Sequence, residues 1–158
     1  MPSSSRSSAD PRDLPTIEDI RAAAERLRGK AVPTPLLESP ALNRHLGGRL
    51  LVKAETLQRT GSFKFRGAYN VLVQFDERQR RAGVVTYSSG NHAQGVAAAA
   101  ELLGIPATIV MPADAPTIKI ANTKSYGAEV VLYDRHKESR EEVGGKIARE
   151  RGALGCFA

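Results

Sequence analysis

Val84-Val85-Thr86-Tyr87-Ser88-Ser89-Gly90-Asn91-His92 reads as a strand running into a polar loop and then into a helix start. The β-branched residues favour extended backbone, and Gly90 breaks it. Beyond Asn91, Val96-Ala97-Ala98-Ala99-Ala100 has strong helix preference as far as Leu103, and Gly104 closes the helix. The same unit recurs downstream. Ala107-Thr108-Ile109-Val110 is a strand. Pro116 suits the first turn of a helix that ends near Tyr126-Gly127. Ala128 to Leu132 is a strand, a helix covers residues 136–151, and Ala153 to Phe157 is one more strand. Upstream, Ser62 caps a helix to about Phe75, and Leu50 to Ala54 is a strand. Ser39-Pro40 opens a short helix through Leu46, stopped by Gly47-Gly48. Val32-Pro33-Thr34-Pro35-Leu36 is extended, because each proline disfavours helix before it. Thr16 caps a first helix with an apolar stripe at Ile17, Ile20, Ala24 and Leu27, ended by Gly29. This alternation predicts an α/β fold, a parallel sheet with helices on both faces.

Composition narrows the functional classes. A chain of 158 residues is one ordinary domain in length, and burying about 70% of its unfolded surface allows a true core. Residues 1–14, rich in serine, are expected to be a disordered tail. The net charge of +6 raises the question of nucleic acid. Its basic residues are scattered, however, and Arg78-Gln79-Arg80-Arg81, the densest run, reads as a solvated helix face. Aromatic residues are not interleaved with them, so no nucleic-acid partner is expected. Cys156 is the only cysteine, which excludes an internal disulfide. No apolar run reaches the length of a membrane span, and the start lacks the apolar stretch of a signal peptide. A cytoplasmic protein with no membrane partner is expected.

The chemistry sits on two loops. Ser62-Phe63-Lys64-Phe65-Arg66-Gly67 places one lysine just inside a helix start, between two aromatic rings, after a Gln58-Arg59-Thr60-Gly61 turn. A lysine among apolar groups near a helix N-terminus loses its proton more easily and serves as an amine nucleophile. Ser88 to His92 falls at the carboxyl end of a strand, where open parallel sheets bind ligands. Taken singly, each cluster has a plainer reading. Lys64 is a surface lysine, Ser-Ser-Gly-Asn a helix cap, His92 a packed polar group and Arg66 a structural ion-pair partner. His45 and His136 have no partners at metal-ligand spacing, so no metal site is expected.

Together the clusters resemble the pyridoxal-phosphate enzymes of fold type II, in the threonine dehydratase (threonine ammonia-lyase), serine dehydratase and serine racemase group. The resemblance runs from Pro33-Thr34-Pro35-Leu36 through Lys53-Ala54-Glu55, the Lys64 segment and Ser88 to Gly95. It continues through Met111-Pro112, Ala115-Pro116, Lys119 and Tyr126-Gly127-Ala128. Phe65, where related sulfhydrylases and threonine synthases carry aspartate, favours the dehydratase and racemase branch. Thr56 departs from the Asn or Asp usual there.

The resemblance implies a tryptophan synthase β-subunit-like fold with pyridoxal 5′-phosphate as cofactor. Lys64 carries the cofactor and moves the substrate α-proton, Phe63 lies against the pyridine ring, and Asn91 bonds the ring oxygen. Ser88, Asn91 and His92 surround the substrate carboxylate, and Ser89 is where racemases place an acid/base serine. It further implies a dehydratase turning threonine or serine into a 2-oxo acid and ammonia, a role in amino-acid metabolism such as isoleucine biosynthesis, and a homo-oligomer at full length. A serine racemase-type isomerase is the alternative.

Family members continue into a glycine-rich loop that holds the cofactor phosphate, and no Gly-Gly-Gly run follows Lys64 here. The chain thus reads as an amino-terminal portion, with residues 15–54 belonging to the large domain and residues 55–158 forming the small α/β domain. On this reading it is not a competent dehydratase by itself, and an inactive remnant or interaction module competes with the enzyme reading.

Overall fold

The computed structural model describes residues 14–155, so the serine-rich start, Cys156 and Phe157 lie outside it. Thr16 starts α1 (Ile17–Leu27) through a reciprocal capping box with Asp19. Pro33 and Pro35 hold the next stretch extended into β1 (Leu36–Glu38). Ser39 caps α2 (Pro40–Leu46), with proline at its first turn and left-handed Gly47 at its end. β2 (Leu51–Lys53) then pairs antiparallel with β1, Leu37 opposite Val52. This ribbon is a sheet of its own, and every residue in its strands is exposed.

The remainder forms one α/β unit: α3 (Lys64–Leu72), α4 (Glu77–Ala82), β3 (Val84–Tyr87), α5 (Asn91–Leu103), β4 (Ala107–Pro112), α6 (Thr117–Ser125), β5 (Glu129–Tyr133), α7 (Arg140–Arg151) and β6 (Leu154–Gly155). Four parallel strands lie in the order β5-β4-β3-β6. From β3 to β5 the chain moves outward; from β5 to β6 it crosses back beyond β3. Right-handed crossovers then put α5 and α6 on one face and α7 on the other. Accordingly, α5 and α7 both pack on β3 and β4.

The core lies around α5, where residues from Ala93 through Ala100 are all buried. That helix is enclosed by the sheet on one side and α3 on the other. Its alanines keep it thin enough for both to approach. Phe65 and Leu72 from α3, Val96 from α5, and Ile109 and Met111 from β4 fill the space, each essentially buried. Burial of such a side chain stabilises by roughly 1.5–3 kcal/mol.

Several sequence expectations shift. Ser62 does not cap α3; the residue before Lys64, Phe63, already has helical dihedrals and no side chain caps the helix. Phe75 lies beyond α3, which ends at Leu72. Separate from it, α4 starts from an Asp76–Gln79 capping box and carries the Arg78 to Arg81 run that the sequence places on a helix face. The last helix starts at Arg140 rather than His136, because Asp134 folds the preceding residues into a turn and Ser139 supplies the cap. Among the described residues no helix is long and apolar enough to cross a membrane, and no group of His, Cys, Asp or Glu is arranged for a metal ion.

Candidate active site

β3 delivers Ser88, Ser89 and Gly90 to the carboxyl edge of the sheet, where the Ser88 N–H donates to the Val110 carbonyl at 3.1 Å. The loop does not cap α5. Ser88 Oγ instead accepts from the Gly90 N–H at 3.3 Å, and Gly90, at the cap position, offers the helix no side-chain acceptor. The 13-residue helix thus begins with no hydrogen bond to a cap-residue side chain. Asn91 and Ser89 are exposed; Ser88 and His92 are half-buried.

Lys64 meets the beginning of α5 from another element. It is the first residue of α3 and half-buried, with Nζ 5.5 Å from the centre of the Phe63 ring. The pair of flanking rings expected from sequence is not formed. Phe65 turns into the core, fully buried, while Phe63 is 60% exposed. What brings α3 against α5 is Gly95. A Cβ there would stand 3.0 Å from the Lys64 carbonyl carbon and from the Phe65 nitrogen, so a side chain would fit only if the α3 backbone gave way by a few tenths of an ångström. Asn91 lies one helical turn before Gly95 and so shares its face of α5, toward Lys64.

On the other side of Lys64 the Arg66 guanidinium forks onto Glu55, Nε to Oε2 at 2.8 Å and Nη2 to Oε1 at 2.7 Å. Thr34 donates its hydroxyl to Glu55 Oε1 at 2.5 Å. The fork, above all, pushes the Glu55 carboxyl down to about 2. Arg66 is thus the structural partner that the sequence suggested.

Ser88 and Ser89 line one cleft of about 130 Å³ with Val110, Pro112, Tyr133, Arg135 and Arg140. It is smaller than the ~300–1,000 Å³ typical of sites that enclose drug-sized ligands. The Arg140 guanidinium lies over the Tyr87 ring, 5.0 Å from its centre, and pairs with Glu141; Arg135 pairs with Asp114. Lys64, Phe63, Asn91 and His92 do not line this cleft. A larger concavity, about 600 Å³, lies between α1 and residues 28–33 and is mostly apolar. None of the expected site residues borders it.

Residues 27–156 match the family described as pyridoxal-phosphate dependent enzyme. The chain belongs to that family. It is 57% identical over 139 residues to L-threo-3-hydroxyaspartate ammonia-lyase of a Pseudomonas species, covering 88% of this chain and 44% of the relative. It is 46% identical to L-threonine ammonia-lyase of Thermotoga maritima, covering 88% of this chain and 35% of that one. The solved structure of maize serine racemase superposes with a TM-score of 0.83 at 43% identity, over 88% of this chain and 42% of that one. The chain spans less than half the length of each.

The residues present fit the family's cofactor at its aldehyde and ring end. Lys64 would offer an amine, the start of α5, with no cap-residue side chain, would offer backbone donors, and the buried Ser62 Oγ beside Phe63 has no hydrogen-bond partner. For the phosphate end, the one glycine pair after Lys64, Gly144-Gly145, is inside α7 and forms no loop.

Sequence reasoning missed Gly95, Arg135 and Arg140. A glycine inside an alanine-rich helix was the available signal for the first, since it costs ~1 kcal/mol against alanine without a packing reason. The arginines gave none, because only the crossover from β5 to α7 brings them to the loop.

Proposed function

We propose that this chain carries the cofactor-lysine side of an ammonia-lyase site acting on a small hydroxy amino acid. The observation that carries the reading is the seating of Lys64 on Gly95, one turn from Asn91, beside an α5 N-terminus that no side chain caps. Pyridoxal phosphate, when bound, delocalises the electron pair left at Cα. Lys64 Nζ takes the α-proton. Asn91 would hold the ring oxygen, and Phe63 would lie against the ring. Ser88, Asn91 and His92, with the α5 N–H groups, hold the α-carboxylate against the positive end of the helix. The β-hydroxyl departs with a proton as water, and hydrolysis of the resulting unsaturated amine gives a 2-oxo acid and ammonia. Residues 15–54 are assigned to the large domain and 55–158 to the small one, a division supported by the separate β1–β2 ribbon.

Among substrates, the Arg135 and Arg140 cleft favours a second carboxylate. Its mouth is shared with Ser88 and Ser89, and the Tyr87 ring holds the Arg140 guanidinium beside it. This supports 3-hydroxyaspartate, the substrate in the name of the Pseudomonas relative, over threonine or serine.

Pyridoxal-phosphate titration, borohydride reduction and peptide mass mapping test the cofactor reading, with single labelling at Lys64 expected. Scattered labelling sinks it. Ammonia release from L-threo-3-hydroxyaspartate, L-threonine and L-serine then tests the substrate. Arg140→Met is expected to lower kcat/KM for hydroxyaspartate by about ten- to hundredfold, the worth of a charged hydrogen bond, and to spare serine. An equal loss for both substrates removes the second-carboxylate assignment.

A further inference from the structure

The geometry points to Glu55 and Arg66 as a clasp that fixes the position of Lys64, an inference that rests on Lys64 being the cofactor lysine. No side-chain cap fixes where α3 begins, and the preceding turn is closed locally only through Gln58, whose carbonyl accepts from the Gly61 N–H at 2.9 Å and whose Oε1 accepts from the Arg59 N–H at 3.0 Å. The approach runs through two successive left-handed residues, Thr60 (φ 63°) and Gly61 (φ 68°). For a β-branched threonine that conformation is unfavourable and persists only where surrounding structure imposes it. The Thr60 and Ser62 hydroxyls do not hold the turn, since both are buried without a hydrogen-bond partner. Phe63 stands at the cap position with no side-chain cap.

Long-range contacts supply what the turn lacks. Arg66, two residues after Lys64, grips Glu55 with both Nε and Nη2, and Nη2 also donates to the Val32 carbonyl at 3.2 Å. Glu55 is anchored in turn by the Thr34 hydroxyl, and Lys53 Nζ donates to the Thr34 carbonyl. Gln58, 4% exposed, bonds Val32 in both directions at 2.9 Å. On the opposite side the Lys64 backbone meets Gly95 with no space to spare. Lys64 is thus held between a glycine seat and a planar two-bond fork. The fork's side chains are only 16% (Glu55) and 30% (Arg66) exposed. A bidentate guanidinium fixes direction as well as distance, which a lysine ammonium at position 66 cannot do.

Three forms of the chain separate positioning from plain stabilisation: wild type, Arg66→Lys, and the double variant Glu55→Gln with Arg66→Met. Each is treated with limiting pyridoxal phosphate, reduced with borohydride and mapped. The readout is labelling at Lys64 relative to Lys146, whose side chain is 72% exposed. Wild type is expected to favour Lys64, and Arg66→Lys to lose about tenfold of that preference, a modest share of what an ångström of misplacement costs. The double variant removes both charges of the fork together and keeps an acceptor for Thr34, so its thermal midpoint should stay near wild type while the preference remains lost. Amide exchange in α5 reports that each form is folded. Should either variant lose that protection, Thr34→Val takes its place, removing one bond to Glu55; a reduced Lys64 preference is expected there too, and an unchanged one counts against the clasp. A folded double variant with wild-type preference overturns the clasp and leaves the cofactor reading intact. Wild type with no preference for Lys64 removes the cofactor reading and the clasp together.

Discussion

Two glycines in neighbouring helices, Gly67 and Gly95, should respond oppositely to the same change. Gly95 faces the Lys64 and Phe65 backbone at 3.0 Å, and backbone cannot swing aside as a flexible side chain can. Gly95→Ala is expected to destabilise by about 1–3 kcal/mol and to lift the first turn of α3 away from Asn91. Gly67, exposed within α3, has nothing within 4 Å of an added Cβ. Gly67→Ala should therefore stabilise by roughly 0.5–1 kcal/mol through helix propensity alone. Urea denaturation of both variants decides the matter; a tolerated Gly95→Ala means that α3 is not seated on α5 as described. The family resemblance singles out Lys64, Ser88, Asn91 and His92 as candidates; taken alone, each has a plainer reading. Gly95 is not among them, because its role is defined by what it lacks.

Between elements, the Glu55–Arg66 fork ties the segment after β2 to the first turn of α3, and it carries a pH signature. The fork holds the Glu55 carboxyl at about 2, with Thr34 and Lys53 adding to the effect. In the unfolded chain the same group titrates near 4.3. Above about pH 5 the carboxylate is ionised in both states and the stabilisation is complete; as pH falls toward 2 the unfolded chain takes up its proton first and the stabilisation is lost. About 1–2 kcal/mol is expected to disappear over that window, allowing for screening of the partly exposed Arg66. Other carboxylates, Glu129 and Asp134 among them, are also lowered, so the difference between wild type and Glu55→Gln is the quantity to measure. Thermal midpoints of the two forms should converge as the pH approaches 2, and a constant gap would mean that the fork adds nothing. At this scale the sequence was readable where burial and β-branching agree, as in β3 and β4. At α4 the arginine run was legible as a solvated helix face, but the Asp76 cap that starts the helix was not, nor was the start of α3, where tertiary contacts replace a cap. Strand order was illegible, since placing β6 beside β3 depends on the side to which α7 crosses.

For the molecule as a whole, the contrast is between a well-buried α/β unit and an uncovered ribbon. In β1 and β2, Leu37 sits directly opposite Val52 on one face, while Leu36 and Leu51 lie on the other. Leu36 and Leu37 are 59% and 53% exposed, and Leu46 of α2 adds to the apolar surface at 55%. A two-stranded ribbon is marginal on its own, and an apolar surface of this extent is unusual on a protein that stands alone. It should bind a hydrophobic dye such as ANS in the folded state. Leu37→Lys combined with Val52→Glu puts opposite charges on a directly facing pair, which preserves the cross-strand interaction while removing apolar surface. The double variant is expected to bind less dye and scatter less light at high concentration. Its stability should remain within about 0.5 kcal/mol of wild type, as for surface substitutions that break no packing. A large loss of stability would show that the ribbon's side chains are already packed against protein. Unchanged dye binding with unchanged stability would move the exposed apolar surface elsewhere, with the groove between α1 and residues 28–33 the next place to probe.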